Sequence, residues 1–342
     1  MYEELNEKIT RFTENYNILK KELKWESAEM VTGAALIYTG KGQAPDAEKL
    51  DECARILKKN TGALSSFRNT VRTIMLANMA VSEDPLQYLD DIKSIYGKLR
   101  ENRKFSHDEF TVISAIILLE SGRREYIDMY IRRTEEVYDL MKASHPHITN
   151  AEDLPFAALL AATDEDTSLL TDDADKCFDL LHGFAGKDAL QAVSIILALS
   201  KLSPEEKCGK FKAVFAALKD SGRRYGKGHE LSVLAALLML DMGTDEIVSR
   251  VAFADDTLKE VKGFHTLSPG ASNRLLCSAA LVLEAGQAPD AEGSAETSAA
   301  EASAAVMAVQ SAINIVNIIN MEMIVIYLTL MNTAIISMTV TD

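Results

Sequence analysis

The chain has 342 residues and a formal net charge of −15 at pH 7, which argues against general binding to nucleic acid because its phosphates would repel the protein. It is 47% hydrophobic but only 6% aromatic, with few prolines, a composition that favours helices over a sheet. Four widely spaced cysteines form no CxxC pair, so a zinc-finger or thioredoxin-like motif is excluded and buried free thiols are expected.

The N-terminal residues predict where in the cell the protein is located and how its first helical hairpin is closed. "MYEELNEKIT" is mixed in charge and lacks the apolar stretch of a secretory signal, so we expect a cytoplasmic protein. Trp25, the single tryptophan, follows the first helical segment, and we expect it to seal the first hairpin.

The heptapeptide "GQAPDAE" occurs at 42–48 and again at 286–292. Its Gly ends one helix and its Pro-Asp-Ala-Glu starts the next.

An apolar six-residue block recurs between these two copies. Its starts are 39, 42, 42, 38, 40 and 44 residues apart, which gives seven copies. The copies are "GAALIY" from 33, "RTIMLA" from 72, "SAIILL" from 114, "FAALLA" from 156, "SIILAL" from 194, "LAALLM" from 234 and "SAALVL" from 278. The regular spacing indicates an internal repeat with a period near 41 residues.

A second five-residue signature precedes each block. Its first position is mostly aromatic, its fourth is Leu, Met or Val, and its fifth is basic, as in "YNILK" from 16 and "YDLMK" from 138. The first and fourth positions share a helix face, and a cation in the last turn complements the helix dipole. Each signature therefore marks the end of a first helix, A, which a loop joins to a more apolar second helix, B. Starts such as "SHDE" and "SPEE" read as helix caps.

These features predict the fold class. We expect an all-α protein, a right-handed α-solenoid of about seven HEAT-like helical hairpins at residues 1–286. Helix B should be buried between neighbours and helix A amphipathic. Stacked layers about 10 Å apart would form a curved rod roughly 70 Å long.

The C-terminal part has a different composition. Residues 287–304 form an Ala/Ser/Glu-rich linker, and 305–342 form an apolar C-terminal helix that carries only Glu322 before its last residue. The uncharged stretch 323–340 is long enough to span a membrane, although no Lys or Arg follows Arg274. On a helical wheel the polar residues of 310–339 fall within an arc of about 200°, except Asn320, which lies opposite. This favours a helix packed on the solenoid or on a second copy, with a membrane anchor or a β-like or disordered tail as alternatives.

The histidines lie in or beside the A–B loops, along one edge of the array. His107, Asp108, His145, His147 and Asp153 are the candidate metal ligands, because their loops belong to adjacent units. The alternative is that they cap helices and fill exposed loops, so we expect no bound metal and no cofactor. Basic spots that include Arg100 and Arg223 are either a phosphate site or solvated loop charge. The sequence contains no Walker loop, GxGxxG or HExxH motif.

Two stretches carry a resemblance to a known family. The runs "FTENYNILKKELKW" from 12 and "YDLMKASHPHITNAED" from 138 resemble a family of Firmicutes proteins, domain of unknown function 4003. The resemblance extends over nearly the whole chain. It implies a bacterial intracellular protein and supplies neither an activity nor catalytic residues.

The favoured function is a non-enzymatic scaffold that binds a protein or peptide, with the tail mediating self-association or autoinhibition. Solenoids present long surfaces for such binding, and the step from fold to function is an analogy. One alternative is a membrane-tethered scaffold held by 305–342, which would leave the protein cytoplasmic but membrane-associated. Another is a metal-dependent hydrolase built on the His-bearing edge. Homo-oligomerisation through the C-terminal helix is also expected.

Overall fold

The computed structural model describes residues 2–102, 108–122, 124–163, 165–228, 230–265 and 270–286. Within those ranges the chain contains helices and no strand, which confirms the all-α prediction. The α-helices are α1 Glu3–Glu22, α2 Ala28–Gly40, α3 Ala47–Asn60, α4 Arg72–Val81, α5 Pro85–Asn102, α6 Asp108–Glu120, α7 Ile127–Ser144, α8 Leu154–Ala161, α9 Thr167–Leu180, α10 Lys187–Ala198, α11 Pro204–Asp220, α12 Glu230–Ala236, α13 Thr244–Lys259 and α14 Gly270–Ala285. Short 3₁₀ turns cover Ser66–Arg68, Arg124–Tyr126, Ala151–Asp153 and Leu237–Met239.

Two kinds of helix alternate along the chain. The even-numbered helices are buried nearly all round: every residue of α8 is buried, and so are residues 30–39 of α2. The odd-numbered helices bury one face, as α1 does through residues three or four positions apart, Leu5, Ile9, Phe12, Tyr16 and Leu19. The even helices therefore form an inner layer and the odd helices an outer one.

Helix boundaries follow the local signals in most places. Asp46 of the first "GQAPDAE" accepts a hydrogen bond from the backbone N–H of Lys49, and Gly42 has the positive φ of +67° that the turn requires. Ser203 and Glu206 form a capping box at the start of α11. The second heptapeptide after its Gly, and the Ser-His pair of "SHDE", lie outside the described residues.

Two outer helices end earlier than their signatures predict. α9 ends at Leu180 and α13 at Lys259, before the basic residues His182 and Lys262. Here the chain tightens into i→i+3 turns, in which His182 N–H donates to the Asp179 carbonyl and Val261 N–H to the Leu258 carbonyl. In both places the basic residue lies in the loop.

Neighbouring helices pack in sequence order, and the last ones return to the first. In the inner layer α2 packs on α4, α6 on α8, α8 on α10, α10 on α12 and α12 on α14, while the 3₁₀ turn Ser66–Arg68 contacts both α4 and α6. α14 then packs on α1 and α2, and α13 packs on α1. The predicted open rod is therefore wrong, because the two ends of the array contact each other.

Aromatic and polar contacts make this seam between the ends. The ring of Phe264 lies edge-on to those of Phe12 and Tyr16, with centroids 5.8 and 5.0 Å away. Across the inner layer, the Asn273 Nδ2 amide donates to Thr32 Oγ1 at 3.1 Å, and all of these side chains are buried. The first and last hairpins thus cover apolar faces that would be exposed at the ends of an open stack.

The outer layer has one gap. Each outer helix from α3 to α13 packs on the next one, and α13 packs on α1, but α1 and α3 barely touch. A cleft lies at this place.

In the part of the chain that the structure describes, no helix is long and apolar enough to cross a membrane. The predicted linker and the predicted C-terminal helix, 287–342, lie outside that part.

Candidate functional site

The cleft lies beside α3, at the edge of the protein that carries the loops from outer to inner helices. Its smaller part borders the end of α1 and the loop that follows it, and its larger part lies between α3, the 3₁₀ turn Ser66–Arg68 and the start of α4. It consists of two adjoining cavities of about 440 and 170 Å³, which share Asp51, Ala54 and Arg72. Its floor is made of Leu50, Leu57 and Leu76, which belong to the buried core. A volume of this size accommodates a short peptide segment or a small molecule.

Four basic side chains line the larger cavity. Arg55 and Lys58 lie three residues apart on α3, so both point from the same helix face, and Arg68 and Arg72 come from the end of the following loop and the start of α4. Asp51 is the one acidic residue in this lining. The larger cavity is therefore basic in a protein whose overall charge is strongly negative.

Two of these four cations are available for a ligand. Arg72 Nη1 is paired with Glu26 Oε1 at 2.8 Å, and Arg68 Nη1 donates to the Thr61 carbonyl at 3.5 Å. Arg55 and Lys58 are exposed, and within the described part of the chain they make no hydrogen bond or ion pair. Both side chains are free to bind an anionic group.

Two large apolar side chains are exposed in the loops that follow α1 and α3. Trp25, which lines the smaller cavity, is 90% exposed, and Leu64 in the α3–α4 loop is 95% exposed. The Lys24 ammonium lies 5.5 Å from the centre of the Trp25 ring. The expectation that Trp25 seals the first hairpin is therefore wrong: the loop turns its ring outward, and Tyr16 and Phe12 fill the interior instead.

The cleft thus offers two kinds of contact side by side. The free cations Arg55 and Lys58 suit carboxylates or other anions, while Trp25 and Leu64 suit an apolar side chain. Glu22 and Glu26 line the smaller cavity beside Trp25, so an anionic group fits the larger cavity better. Such a mixture is typical of surfaces that recognise peptides.

The predicted His-bearing edge has a different role at His145. His145 Nε2 lies 3.0 Å from Asp175 Oδ1, and its ring packs on Phe178 with centroids 4.4 Å apart. The adjoining cavity, lined also by Gln191 and Ser194, is about 10 Å³, which is room for about one water molecule. This contact joins α7 to α9 and leaves no space for a substrate.

The other metal candidates do not converge on His145. His147 is exposed in the α7–α8 loop, while Asp153 is buried and accepts a hydrogen bond from the Asn150 backbone N–H at 2.8 Å in a capping box. Burial raises the pKa of Asp153 to about 7. His107 and the side chain of Asp108 lie outside the described residues. Among the side chains that are described, no three His, Cys, Asp or Glu come together to hold a metal ion.

The predicted basic spot around Arg223 is committed to structural contacts. Arg223 Nη2 pairs with Asp256 at 2.7 Å, and its Nε lies 3.5 Å from buried Asp255, which also binds Arg274. Lys227 Nζ donates to the Phe184 carbonyl at 2.7 Å. These cations hold loops together.

Sequence reasoning missed the four basic residues of the cleft. The available signal was two pairs of cations at helical spacing, Arg55/Lys58 and Arg68/Arg72, on either side of the same long loop. What the sequence did not reveal is that the 3₁₀ turn Ser66–Arg68 and the start of α4 lie beside α3, which brings the four cations to one cavity.

Comparisons with known proteins bear on the family. The family described as "Protein of unknown function (DUF4003)" matches residues 15–335. Uncharacterized protein YeaA of Bacillus subtilis (strain 168) is 26% identical over 275 residues, which cover 76% of this chain and 80% of that protein. No solved structure matches the chain. The resemblance expected from the sequence is thereby confirmed.

Proposed function

The chain belongs to the family described as protein of unknown function (DUF4003), and on that premise we propose that it is a non-enzymatic, cytoplasmic scaffold that binds a peptide segment of a partner protein. The observation that carries the proposal is the basic cleft beside α3, with Trp25 exposed in its lining and Leu64 exposed in the α3–α4 loop. The preferred segment is acidic and contains one aromatic or large aliphatic residue.

The proposed scaffold is a closed array of seven HEAT-like hairpins with a period near 41 residues. Support comes from the alternation of outer and inner helices and from the contacts of α14 with α1 and α2. Packing on both sides holds each hairpin in place, except at the gap beside α3. A rigid surface of this kind is suited to binding because little order is lost when a ligand docks.

The charges of the cleft support an acidic ligand over a neutral one. Arg55 and Lys58 would gain partners that they lack, and a carboxylate next to a guanidinium forms a charge-assisted hydrogen bond. Burial of an aromatic side chain against Trp25 would add the apolar contribution typical of interface anchors.

The remaining parts of the proposal concern the tail and the rival functions. The tail, 305–342, packs on protein, either on a second copy of the chain, which gives self-association, or on its own scaffold, where it regulates the protein. A membrane-tethered scaffold and a metal-dependent hydrolase have no specific observation in their favour: the cavity beside His145 is water-sized, and His147 and Asp153 point to separate structural roles.

The test uses the single tryptophan as its reporter. The peptide acetyl-DEDFE-amide is titrated into the full chain while the emission of Trp25 is recorded. We expect a saturable shift of the emission to shorter wavelength, because the exposed indole becomes covered. Binding should weaken as ionic strength rises, since the contacts of Arg55 and Lys58 with the peptide are solvent-accessible.

Two variants with equal charge change separate site binding from general charge attraction. Arg55→Ala with Lys58→Ala should weaken binding about tenfold, because two partly exposed ion pairs are lost. Lys176→Ala with Lys219→Ala removes two exposed cations from α9 and α11 and should leave the affinity unchanged. Equal weakening in both variants, or equal binding of acetyl-KRKFK-amide, would rule out the proposed site.

A further inference from the structure

A row of exposed apolar side chains runs along the edge opposite the cleft, where inner helices connect to outer ones. The row occupies corresponding places in four consecutive outer helices, α5, α7, α9 and α11, within three residues of each helix start. Its members are Leu86, Tyr126, Met129, Leu169 and Leu202.

The regular placement distinguishes the row from scattered surface residues. Single exposed apolar side chains are normal on any protein. Here α5 packs on α7, α7 on α9 and α9 on α11, so the row continues from one helix to its neighbour. Leu169, in its middle, is 68% exposed. Exposed apolar side chains at equivalent places of four neighbouring helices suit a contact surface.

The described chain ends close to one end of this row. Gly286 comes directly after α14 and is closely packed. A Cβ added to it would lie 2.7 Å from the Leu240 side chain and 3.1 Å from the Met242 side chain. Leu240 and Met242 form the connection into α13, and α13 packs on α11, the helix that follows Leu202. Whatever follows Gly286 therefore starts one outer helix away from the row.

The segment that follows has the matching chemistry. Residues 305–341 contain Glu322 as their single charged residue, and their polar residues fall largely on one side of a helical wheel. Thirty-seven residues would extend about 55 Å as a helix. Four adjacent outer helices span about 30 Å. The segment is long enough to cover the whole row and has one apolar side to do it.

The charges around the row disfavour a lipid surface as its partner. The loops that carry it, 82–86, 121–129, 162–169 and 199–206, contain nine acidic and three basic residues. Anionic headgroups would be repelled by this excess of acid. An apolar segment with almost no charge meets no such penalty.

We propose that residues 305–341 of the same chain dock along the row formed by Leu86, Tyr126, Met129, Leu169 and Leu202. The docked segment covers the starts of α5, α7, α9 and α11 with its apolar side and keeps its polar side toward water. This contact is independent of whether the cleft binds a peptide, since the two surfaces lie on opposite edges of the protein.

A site-specific photo-crosslinker in the full chain tests the contact. p-Benzoylphenylalanine replaces Leu169 in one variant and Leu64, which is more exposed but lies on the opposite edge, in a control. After irradiation and digestion, we expect the variant at position 169 to yield crosslinks to peptides from 305–341 and the control to yield none. Crosslinks from position 169 to other parts of the chain only would overturn the proposal.

Isotope labelling identifies the chain that supplies the segment. Labelled and unlabelled chains are mixed before irradiation, and crosslinked peptides should carry one label rather than both. Mixed-label pairs would show that a second copy covers the row and would overturn docking within one chain. As a further check, Leu169→Asp with Leu202→Asp should speed hydrogen exchange in 305–341 about tenfold. Unchanged exchange there would also count against the proposal.

Discussion

Replacing Phe264 by Ala tests whether the two ends of the array hold each other in place. Phe264 is fully buried in the connection between α13 and α14, and its ring contacts those of Phe12 and Tyr16 on α1. Its carbonyl also accepts a hydrogen bond from Arg274 Nη1 at 2.7 Å, which the substitution leaves in place. The change therefore removes packing at the seam and keeps the backbone contact.

The expected loss of stability is large. A buried Phe→Ala change costs about 3–5 kcal/mol through lost burial and the cavity left behind. Two edge-on aromatic contacts each contribute about 0.5–1.5 kcal/mol beyond burial, so we place Phe264→Ala near the upper end, at about 5 kcal/mol. This is a large part of the total stability of about 5–15 kcal/mol that proteins usually have.

The location of the loss is the decisive result, and hydrogen exchange measures it. With Phe264→Ala, protection should fall first in α1, α2 and α14, because these helices meet at the seam. Phe211→Ala is the matched control: Phe211 is also fully buried, but it lies in α11 and packs on Phe184 at 5.6 Å. In Phe211→Ala, the loss of protection against hydrogen exchange should appear in α9 to α13.

One pattern would refute this reasoning. If Phe264→Ala lowered protection evenly along the chain, or left α1 as protected as Phe211→Ala does, the contact between the first and last hairpins would not stabilise the fold.

Two further changes test buried charged groups. Burial raises the pKa of Asp153 from its ordinary 3.8 to about 7, so between these values the folded protein keeps a proton that the unfolded chain has released. Stability should therefore fall as pH rises from about 4 to 7, and Asp153→Asn should lack this component when urea midpoints are compared across that range. Lys207 is fully buried, and its ammonium contacts the Asp173 carboxylate and the Ser200 carbonyl. Lys207→Met should cost about 2 kcal/mol in urea unfolding, because Asp173 is left without its partner but stays partly hydrated, whereas exposed Lys219→Met should change stability by less than about 0.5 kcal/mol. Equal urea midpoints for these two lysine variants would contradict the assigned role of Lys207.

The helices and their two layers were predictable because their signals are local. Apolar blocks and basic last turns depend on residues within one or two helical turns, and α1 and α11 begin or end where those signals place them. Local signals fail at the ends of α9 and α13. Both helices end early, and tight turns that follow the last helical residue contain the end of the signature.

The contact between the first and last hairpins and the position of the cleft were not predictable from the sequence. Each depends on the packing angles of many helices added together. The path of a stack depends on the angle between successive hairpins, since seven hairpins meet end to end only when each is turned by about 50° from the one before it. No motif encodes that angle. The exposure of Trp25 and the gap beside α3 depend on how the helices pack, so the expectation that Trp25 seals the first hairpin was wrong.

Contact between the first and last hairpins has a consequence for how such a protein can change over time. An open stack gains or loses a unit at its end without disturbing the others. Here the circumference is already complete, because α1 and α2 occupy the place that another hairpin after α14 would take. A duplicated or deleted hairpin would leave the remaining ones unable to meet. We therefore expect insertions and deletions among related chains to fall in the loops rather than to add or remove a hairpin.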